Sequence, residues 1–422
     1  MKRTLPILFC AVLAAPGVLP AQERELHTGI SESGFSPIRL AVPAFVGRSE
    51  AAAVRSTVDE LAEVVWADLD FSGYFRLVER EYYSLIPEPG PNPLPFEDWE
   101  SIGAEYLLQG EVGLEGARIL VESRLYDTTH SERIFGKRYR AEPGIWRTVA
   151  HRIADDIVLH FIGRKGIASS QLVFSARNGD GKEIFTMDYD GAGLQQITNN
   201  GSLNLSPAWS PDGAQLAFIS YQEGWPRLYL LDREGKQSRP LPSWEDELTS
   251  APEWSPDGRW LAFASNRDGN SEIYKLEMST GRLVRLTYHR LIDSSPTWSP
   301  NGRELAFTSS RGGTPQIYAM DADGLNVRRL TFEGSYNDLA AWSPQGDRIA
   351  YAGRKRTFDI HVLDVATGQS RQITHGPGNN EDPRWSPDGQ HLVFSSTRAG
   401  DQALYIMDAN GGRVRQVGPF GG

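Results

Sequence analysis

The chain has 422 residues, of which 40% are hydrophobic and 23% are charged, so it is long enough for two or more globular domains. Its formal net charge is -11 at pH 7. This acidic balance argues against nucleic acid as a partner, because phosphate contacts need clustered basic surface.

The beginning of the chain has the features of a secretory signal peptide. A charged start at residues 1–3 precedes an apolar run at residues 5–15 that is too short to span a bilayer. We predict a signal peptide over residues 1–21 and a mature chain that starts at Gln22. The single cysteine, Cys10, lies in this leader, so the mature chain has no disulfide and no thiolate metal site. Because no other apolar segment reaches membrane-spanning length, we expect an exported protein that does not span a membrane.

A compact α/β domain is predicted for residues 38–164, after a polar and flexible N-terminal arm at residues 22–37. Strands are predicted at residues 38–42, 75–78, 104–111, 118–126 and 133–139, and a closing helix starts at Trp146 and stops near Gly163. One face of a longer helix is marked by apolar residues spaced three or four apart, namely Val54, Val58, Leu61, Val65 and Leu69.

The second half of the chain repeats one short motif. The sequence Trp-Ser-Pro-Asp-Gly occupies residues 254–258, and near-copies begin at positions 43 to 45 residues apart, at Trp209, Trp298, Trp342 and Trp385. Proline second and glycine fourth in the Ser-Pro-Asp-Gly quartet suit a type I turn, and the tryptophan supplies an apolar anchor. We interpret the motif as a structural hairpin corner, in which the third position needs no special side chain.

Each corner is followed by two or three strand-like runs, and four strands per repeat of this length are typical of a β-propeller blade. Six second strands and six third strands predict a six-bladed β-propeller over residues 165–422. The innermost strand of the first blade is expected at residues 166–170, without a tryptophan.

No motif for catalysis is present: the chain contains no Gly-x-Ser-x-Gly elbow, no His-Glu-x-x-His, no phosphate loop and no paired-cysteine site. We therefore predict a protein that is not an enzyme and has no catalytic residues, no cofactor and no metal. Two segments, 188–191 and 321–324, resemble fragments of calcium loops, but they lack the remaining oxygen ligands and are expected to form plain turns.

A ring of polar and acidic residues precedes the repeated tryptophans. In a propeller these positions converge around one mouth of the central channel, where loops on a rigid scaffold commonly bind partners. The alternative is that short polar residues simply cap strands and turns. The candidate partner-binding residues are Asn204, Thr249, Ser250, Asp293, Ser294, Ser295, Asn337, Asp338, Asn380, Glu381 and Asp382.

A second recurring residue is an arginine soon after the second strand of five repeats. Either a partner contact or a structural ion pair with neighbouring acids would explain it. These arginines are Arg177, Arg267, Arg311, Arg354 and Arg398.

The whole mature chain resembles the TolB family of the Tol-Pal cell-envelope system. The repeats alone are not specific, since similar blades occur in propellers attached to serine peptidases. More specific is the order of the leader, the arm, residues 37–45 (PIRLAVPAF), Ser72-Gly73 within residues 69–78, residues 104–110 (AEYLLQG) and six blades.

This resemblance implies a non-catalytic, periplasmic and monomeric hub for protein-protein interactions, which maintains outer-membrane integrity and its constriction during cell division. It implies that the channel mouth binds Pal, the peptidoglycan-associated lipoprotein, although Leu248 is apolar where the family pattern implies a polar loop residue. It further implies that the arm engages a TolA-like inner-membrane protein and that the two events are coupled. The arm residues concerned are Glu23, Arg24, Glu25, Leu26 and His27.

Two alternatives belong to other functional classes. A peptidase-accessory propeller would require an α/β-hydrolase domain, and the sequence ends at Gly422 just after the sixth blade. A glycan-binding or peptidoglycan-binding propeller is compatible with the polar ring.

Overall fold

The computed structural model describes residues 12–14, 36–49, 51–86, 94–142, 144–242 and 247–418. The chain divides into two compact units, one formed by residues 20–169 and the other by residues 1–19 with 170–422.

The first unit is a mixed sheet accompanied by helices. Strand Ile38–Ala41 pairs in parallel with Phe75–Leu77 on one side and with Tyr106–Glu115 on the other. The short strand Val46–Gly47 also pairs in parallel with Tyr106–Glu115. The sheet then continues antiparallel through Arg118–Asp127 and Glu132–Ala141. The helices are Ala52–Ser72, Phe96–Ser101 and Trp146–Ile162, with a 3-10 helix at Arg80–Leu85.

The two long helices follow the predicted apolar periodicity. Val54, Leu61, Val65 and Leu69 of the first helix are fully buried, so this stripe forms part of the core. The helix ends at Gly73, whose φ of 75° is the left-handed conformation that glycine adopts without steric cost. The closing helix ends in the same way, at Gly163.

The second unit is a six-bladed β-propeller, which confirms the predicted fold class of an α/β domain followed by a propeller. Each blade is a four-stranded antiparallel sheet in chain order. The innermost strands of blades two to six are Asn204–Trp209, Thr249–Trp254, Asp293–Trp298, Tyr336–Trp342 and Asn380–Trp385. The second strands of blades one to six are Gln171–Asn178, Gln215–Ser220, Trp260–Ser265, Glu304–Ser309, Arg348–Arg354 and His391–Ala399.

The outer half of each blade completes the pattern. The third strands are Gly181–Asp188, Arg227–Asp232, Glu272–Glu277, Gln316–Asp321, Phe358–Asp364 and Asp401–Asp408. The outermost strands are Gln195–Gln196, Ser238–Pro240, Leu283–Arg285, Arg328–Arg329, Ser370–Gln372 and Arg415–Val417.

The innermost strand of blade one comes from the start of the chain. Val12–Ala14 pairs antiparallel with Gln171–Asn178, with Val12 opposite Val173. It also contacts the innermost strands of blades two and six, so it closes the ring. The prediction of an innermost strand at residues 166–170 was wrong, because that stretch forms bends and a turn. The position is occupied by a segment within the predicted leader.

The repeated corner is held by hydrogen bonds that the turn type alone does not require. In blade three the Asp257 carboxylate accepts from the Ser255 hydroxyl at 2.5 Å and from the Arg259 amide at 3.0 Å. Asn301 fills the same role in blade four. Asp or Asn at the third position therefore adds hydrogen bonds to the corner, but the turn does not require them, since Gly346 N donates to the Ser343 carbonyl at 2.9 Å in blade five. In blade five, which has Gln345 at this position, the corner serine instead donates to Asp347, two residues later.

Apolar side chains of adjacent blades pack into shared clusters. Ala262 and Ile273 of blade three lie in one cluster with Trp298, Leu305 and Phe307 of blade four. Each repeated tryptophan is at least 91% buried, so the corner motif anchors each blade to its neighbour. Among the helices that the structure describes, none combines the length and the apolar character needed to cross a membrane.

Candidate partner-binding face of the propeller

The loops that join the outermost strand of one blade to the innermost strand of the next lie at one end of the blades. The loops between second and third strands lie at the same end, since the strands alternate in direction. We call this end the mouth face. All eleven predicted partner-binding residues lie near the start of an innermost strand, at or next to this face.

Five of the eleven are the first or second residue of an innermost strand and are at most 4% exposed: Asn204, Thr249, Asp293, Asn337 and Asn380. The three asparagines donate from Nδ2 to the third strand of the preceding blade. The acceptors are Glu183 Oε2 at 2.9 Å, Gln316 Oε1 at 2.9 Å and Asp359 Oδ1 at 3.0 Å. These three asparagine side chains therefore join neighbouring blades.

A threonine after the outermost strand completes each of these inter-blade clusters. In blade four, the Thr331 hydroxyl donates to Gln316 Oε1 at 2.8 Å and accepts from the Ile317 amide at 2.9 Å. We call this arrangement the threonine clamp. It recurs with Thr198 on Glu183, Thr287 on Glu272 and Thr374 on Asp359. Buried polar groups are costly unless satisfied, so the repeated clamp holds the loop after each of these outermost strands against the third strand of its own blade.

The remaining predicted residues differ in exposure and charge. Ser250 is exposed, whereas Ser294, Ser295, Asp338 and Glu381 are partly exposed and Asp382 is buried. The acidic residues among these six all lie in blades five and six, so the accessible acidic residues of the predicted set lie on one side of the mouth.

Burial raises the pKa of Asp338, and hydrogen bonds from Thr308 and the Leu339 amide oppose that shift. The Thr308 hydroxyl donates to Asp338 Oδ1 at 2.6 Å, and the Tyr336 hydroxyl donates to Oδ2 at 3.3 Å. The pKa of Glu381 is raised by burial and by the charge of Asp338. These two carboxyl groups therefore hold protons more tightly than free side chains do.

A lysine contributes the opposite charge to the mouth. Burial lowers the pKa of Lys182 to about 8, Arg177 adds to this shift, and Asp382 opposes it. Lys182 is the second residue of the third strand of blade one, next to blade six in the ring.

The innermost strands share a backbone distortion that sequence reasoning missed. Three residues before the tryptophan, each of blades two to six has a non-glycine residue with φ between 50° and 56°, and the strand pairing shifts there. A proline follows in four of the five blades. Such left-handed residues are sterically unfavourable, so the surrounding blade must impose them. They are Ser206, Ala251, Ser295, Leu339 and Asp382.

An acidic and a basic residue lie inside the channel, on blades that face each other across the ring. Glu253 of blade three and Arg384 of blade six both line a cavity of about 10 Å³. Burial raises the pKa of Glu253, and the positive charge of Arg384 opposes that shift. A cavity of this volume accommodates about one water molecule, so the channel is narrow at this depth.

The mouth face also carries exposed apolar side chains, which we call the apolar crown. All lie in loops that lead into innermost strands, and their exposed fractions range from 37% to 76%. Sequence reasoning noted only Leu248, although large apolar residues in otherwise polar loops were the available signal. The crown consists of Leu203, Leu248, Tyr288, Leu291, Ile292 and Phe332.

The two aromatic residues of the crown are supported from below by arginines. The Arg285 guanidinium lies 4.5 Å from the centre of the Tyr288 ring, and that of Arg329 lies 5.1 Å from the Phe332 ring. Arg285 is itself fixed by Glu272 at 3.1 Å. The exposed rings are thus positioned before any partner arrives.

The arginines after the second strands contact their own blades. Arg311 pairs with the buried Asp293 at 2.8 Å, and Arg398 donates to Asn380 Oδ1 at 2.9 Å. Arg267 lies 3.7 Å from Asp268, and Arg354 lies 5.6 Å from the Phe358 ring. These contacts favour the structural alternative for these four arginines.

The predicted arm residues, Glu23 to His27, lie outside the described residues. The two calcium-like fragments form turns: Gly191 donates to the Asp188 carbonyl at 2.9 Å, and Gly324 donates to the Asp321 carbonyl at 2.9 Å.

Two family models match the chain. Residues 159–358 and 353–422 match the TolB beta propeller domain, and residues 26–134 match the TolB amino-terminal domain.

Individual relatives agree with these matches. The chain is 34% identical over 253 residues to the Tol-Pal system protein TolB of Roseobacter denitrificans, covering 57% of this chain and 56% of that protein. It is 37% identical over 237 residues to the Tol-Pal system protein TolB of Desulfosudis oleivorans, covering 54% and 52%. The matched part therefore spans only about half the length of these curated relatives. The crystal structure of TolB from Acinetobacter baumannii superposes with a TM-score of 0.76 at 27% identity, covering 90% of this chain and 96% of that chain.

Proposed function

The chain belongs to the TolB family of the Tol-Pal system, and from this premise we propose that it is a non-catalytic interaction hub that binds Pal through the mouth face of its propeller. The proposal places the protein in the periplasm, where it maintains outer-membrane integrity and supports constriction of the outer membrane during division.

The observation that carries the proposal is the apolar crown beside an acidic mouth. Monomeric proteins seldom expose several large apolar side chains together unless the patch binds something. Rigid aromatic side chains surrounded by polar groups are typical of the centre of a protein-protein interface. Tyr288 and Phe332, exposed by 76% and 72%, supply such anchors, while Asp338 and Glu381 supply charge at one side.

A second part of the proposal concerns the arm. Residues 22–34 would engage a TolA-like inner-membrane protein, and Pal binding would be coupled to release or capture of the arm, an order-disorder switch. The support for this part is the family membership, not the described residues.

Calorimetric titration of the exported protein with the soluble domain of Pal from the same organism tests the first part. We expect saturable binding at one site. The absence of both heat and a complex at high concentration would overturn the Pal assignment. Titration with the soluble domain of TolA, with and without residues 22–34, tests the arm separately.

A further inference from the structure

A polar groove lies at the end of the propeller opposite the mouth face, between blades three and four. Its volume is about 380 Å³, within the range of small-molecule sites. The Trp260 ring and the side chain of Lys275 line it from blade three, Asp257 lies at the blade-three corner, and Asn301 and Ala322 contribute from blade four.

The other blades show that the fold does not require the two central side chains of this groove. Trp260 opens a second strand, where blades two, four, five and six have Gln215, Glu304, Arg348 and His391. Lys275 lies opposite Ala262, and the matching third-strand residues of the other five blades are Thr186, Leu230, Ala319, Val362 and Ile406. Blade three alone therefore has a tryptophan and a lysine at these positions, and both face the same groove.

The ammonium group of Lys275 is partly desolvated without a counter-ion. Its Nζ donates to the Ala322 carbonyl at 2.6 Å, and no carboxylate of the described residues lies within 4 Å of it. Burial lowers the pKa of Lys275, and Asp323 opposes this only at a distance. The nearby Arg259 does not share this condition, since it is paired with Glu277. An anion in the groove would offset the desolvation of Lys275.

The aromatic neighbour defines the rest of the ligand. Lys275 Nζ and the Arg259 guanidinium lie 4.6 Å and 5.4 Å from the centre of the Trp260 ring, so the indole packs against two cationic side chains. Asp257 and Asn301 also line the groove, and each has one polar side-chain atom, Oδ2 and Nδ2 respectively, that the hydrogen bonds of its corner do not use. An apolar wall, several polar groups and one uncompensated cation match a sugar ring with hydroxyl groups and a carboxylate.

We propose that this groove binds a carboxylate-bearing sugar unit of a glycan, with Lys275 pairing with the carboxylate and Trp260 packing against the sugar. The site is separate from the mouth face, so the protein can hold a glycan and its protein partner together.

Two disaccharides that differ in one carboxylate test the proposal. The acidic probe is N-acetylglucosamine joined to N-acetylmuramic acid, and the neutral probe is N,N′-diacetylchitobiose, which lacks the lactyl carboxylate. Titration of the full protein, followed by nuclear magnetic resonance or calorimetry, should show the acidic probe binding about tenfold more tightly, with the preference lost at high salt. Equal affinity for both probes, or binding of neither, would overturn the proposal.

The substitutions introduce residues that other blades have at the matching positions, so the fold should tolerate them. Lys275→Leu, as in blade two, should abolish the preference for the acidic probe, and Trp260→Gln should weaken both probes by about tenfold. Lys236→Leu, which removes an exposed lysine of blade two, is the matched charge control and should change nothing. Unaltered binding by Lys275→Leu would contradict the proposal. If the Lys275→Leu variant does not fold, Lys275→Gln is used in its place. The affinity of each variant for Pal should equal that of the wild type.

Discussion

Nδ2 of Asn337, in the innermost strand of blade five, donates to Oε1 of Gln316, in the third strand of blade four, over 2.9 Å, and neither residue is more than 2% exposed. A residue at the channel mouth is thus part of the contact that joins two blades. A substitution here that weakened partner binding would do so through folding, so Asn337 is a poor probe of the interface.

Asn337→Ala should lower the free energy of unfolding by about 1–3 kcal/mol, because it leaves the buried amide of Gln316 with one partner fewer. Denaturant unfolding measures this. Ser250→Ala, at an exposed position of the same face, serves as the control and should change stability by less than about 0.5 kcal/mol. If Asn337→Ala also changed the free energy of unfolding by less than about 0.5 kcal/mol, the inter-blade cluster would not stabilise the ring.

Phe332→Ala and Tyr288→Ala should each weaken Pal binding by about 2 kcal/mol, because rigid aromatic side chains at the centre of an interface carry much of its affinity. Titration with the soluble domain of Pal measures the loss, and the melting temperature should not move. Leu325→Ala removes a 60% exposed apolar residue from a turn at the opposite end of the blades and should bind normally. Equal losses in all three variants would argue against a specific role for the crown.

Asp338→Asn should make the protein more stable near neutral pH. The pKa of Asp338 is raised in the folded state, so its contribution to stability is present below the unfolded value of 3.8 and is lost as pH rises through the folded pKa. The groups around it are Thr308, Ser295, Tyr336, Glu381 and Arg354.

Melting temperatures of the wild type and of Asp338→Asn between pH 4 and pH 8 should diverge as pH rises, with the variant higher. Asp364→Asn is the opposite control. The pKa of Asp364 is lowered by hydrogen bonds from Thr367. The wild type should therefore melt at a higher temperature than Asp364→Asn at high pH, and this difference should vanish on acidification. Parallel curves for Asp338→Asn and the wild type would refute the assigned shift.

Trp254→Phe should cost about 1 kcal/mol more than Trp298→Phe. Trp254 Nε1 donates to the Ala208 carbonyl at 3.2 Å, whereas Trp298 Nε1 has no hydrogen-bond partner among the described residues. Both replacements remove similar apolar area from equivalent corners, so the difference in unfolding free energy isolates the hydrogen bond. A larger loss in Trp298→Phe would show that packing differences between the blades dominate.

The repeat period and the pattern of apolar and polar residues were enough to predict the architecture. The recurring corner that starts at Trp254 sets the repeat period, the second and third strands set the blade count, and the apolar spacing from Val54 to Leu69 marks the first helix. The innermost strand of blade one could not be predicted in this way. It pairs Val12 with Val173, and no local pattern links residues so far apart in the chain.

The site was predictable in position but not in detail. The sequence places Asn380 and Glu381 side by side in one polar loop, yet the first is buried on Asp359 and the second is partly exposed. Which of two adjacent polar residues faces a neighbouring blade depends on the strand pairing and on the left-handed residue that follows, here Asp382. The exposure of Phe332 is likewise a property of the assembled ring.

The separation of buried and exposed residues within the mouth loops has a consequence for how this face can evolve. In the loop before blade five, Thr331 and Asn337 hold the blades, while Phe332 between them points outward. Substitutions at Phe332 therefore leave the scaffold intact, and the crown already varies between leucine, isoleucine, tyrosine and phenylalanine around the ring. Selection can therefore change the crown to match changes in the partner's surface, while the residues that join the blades stay the same.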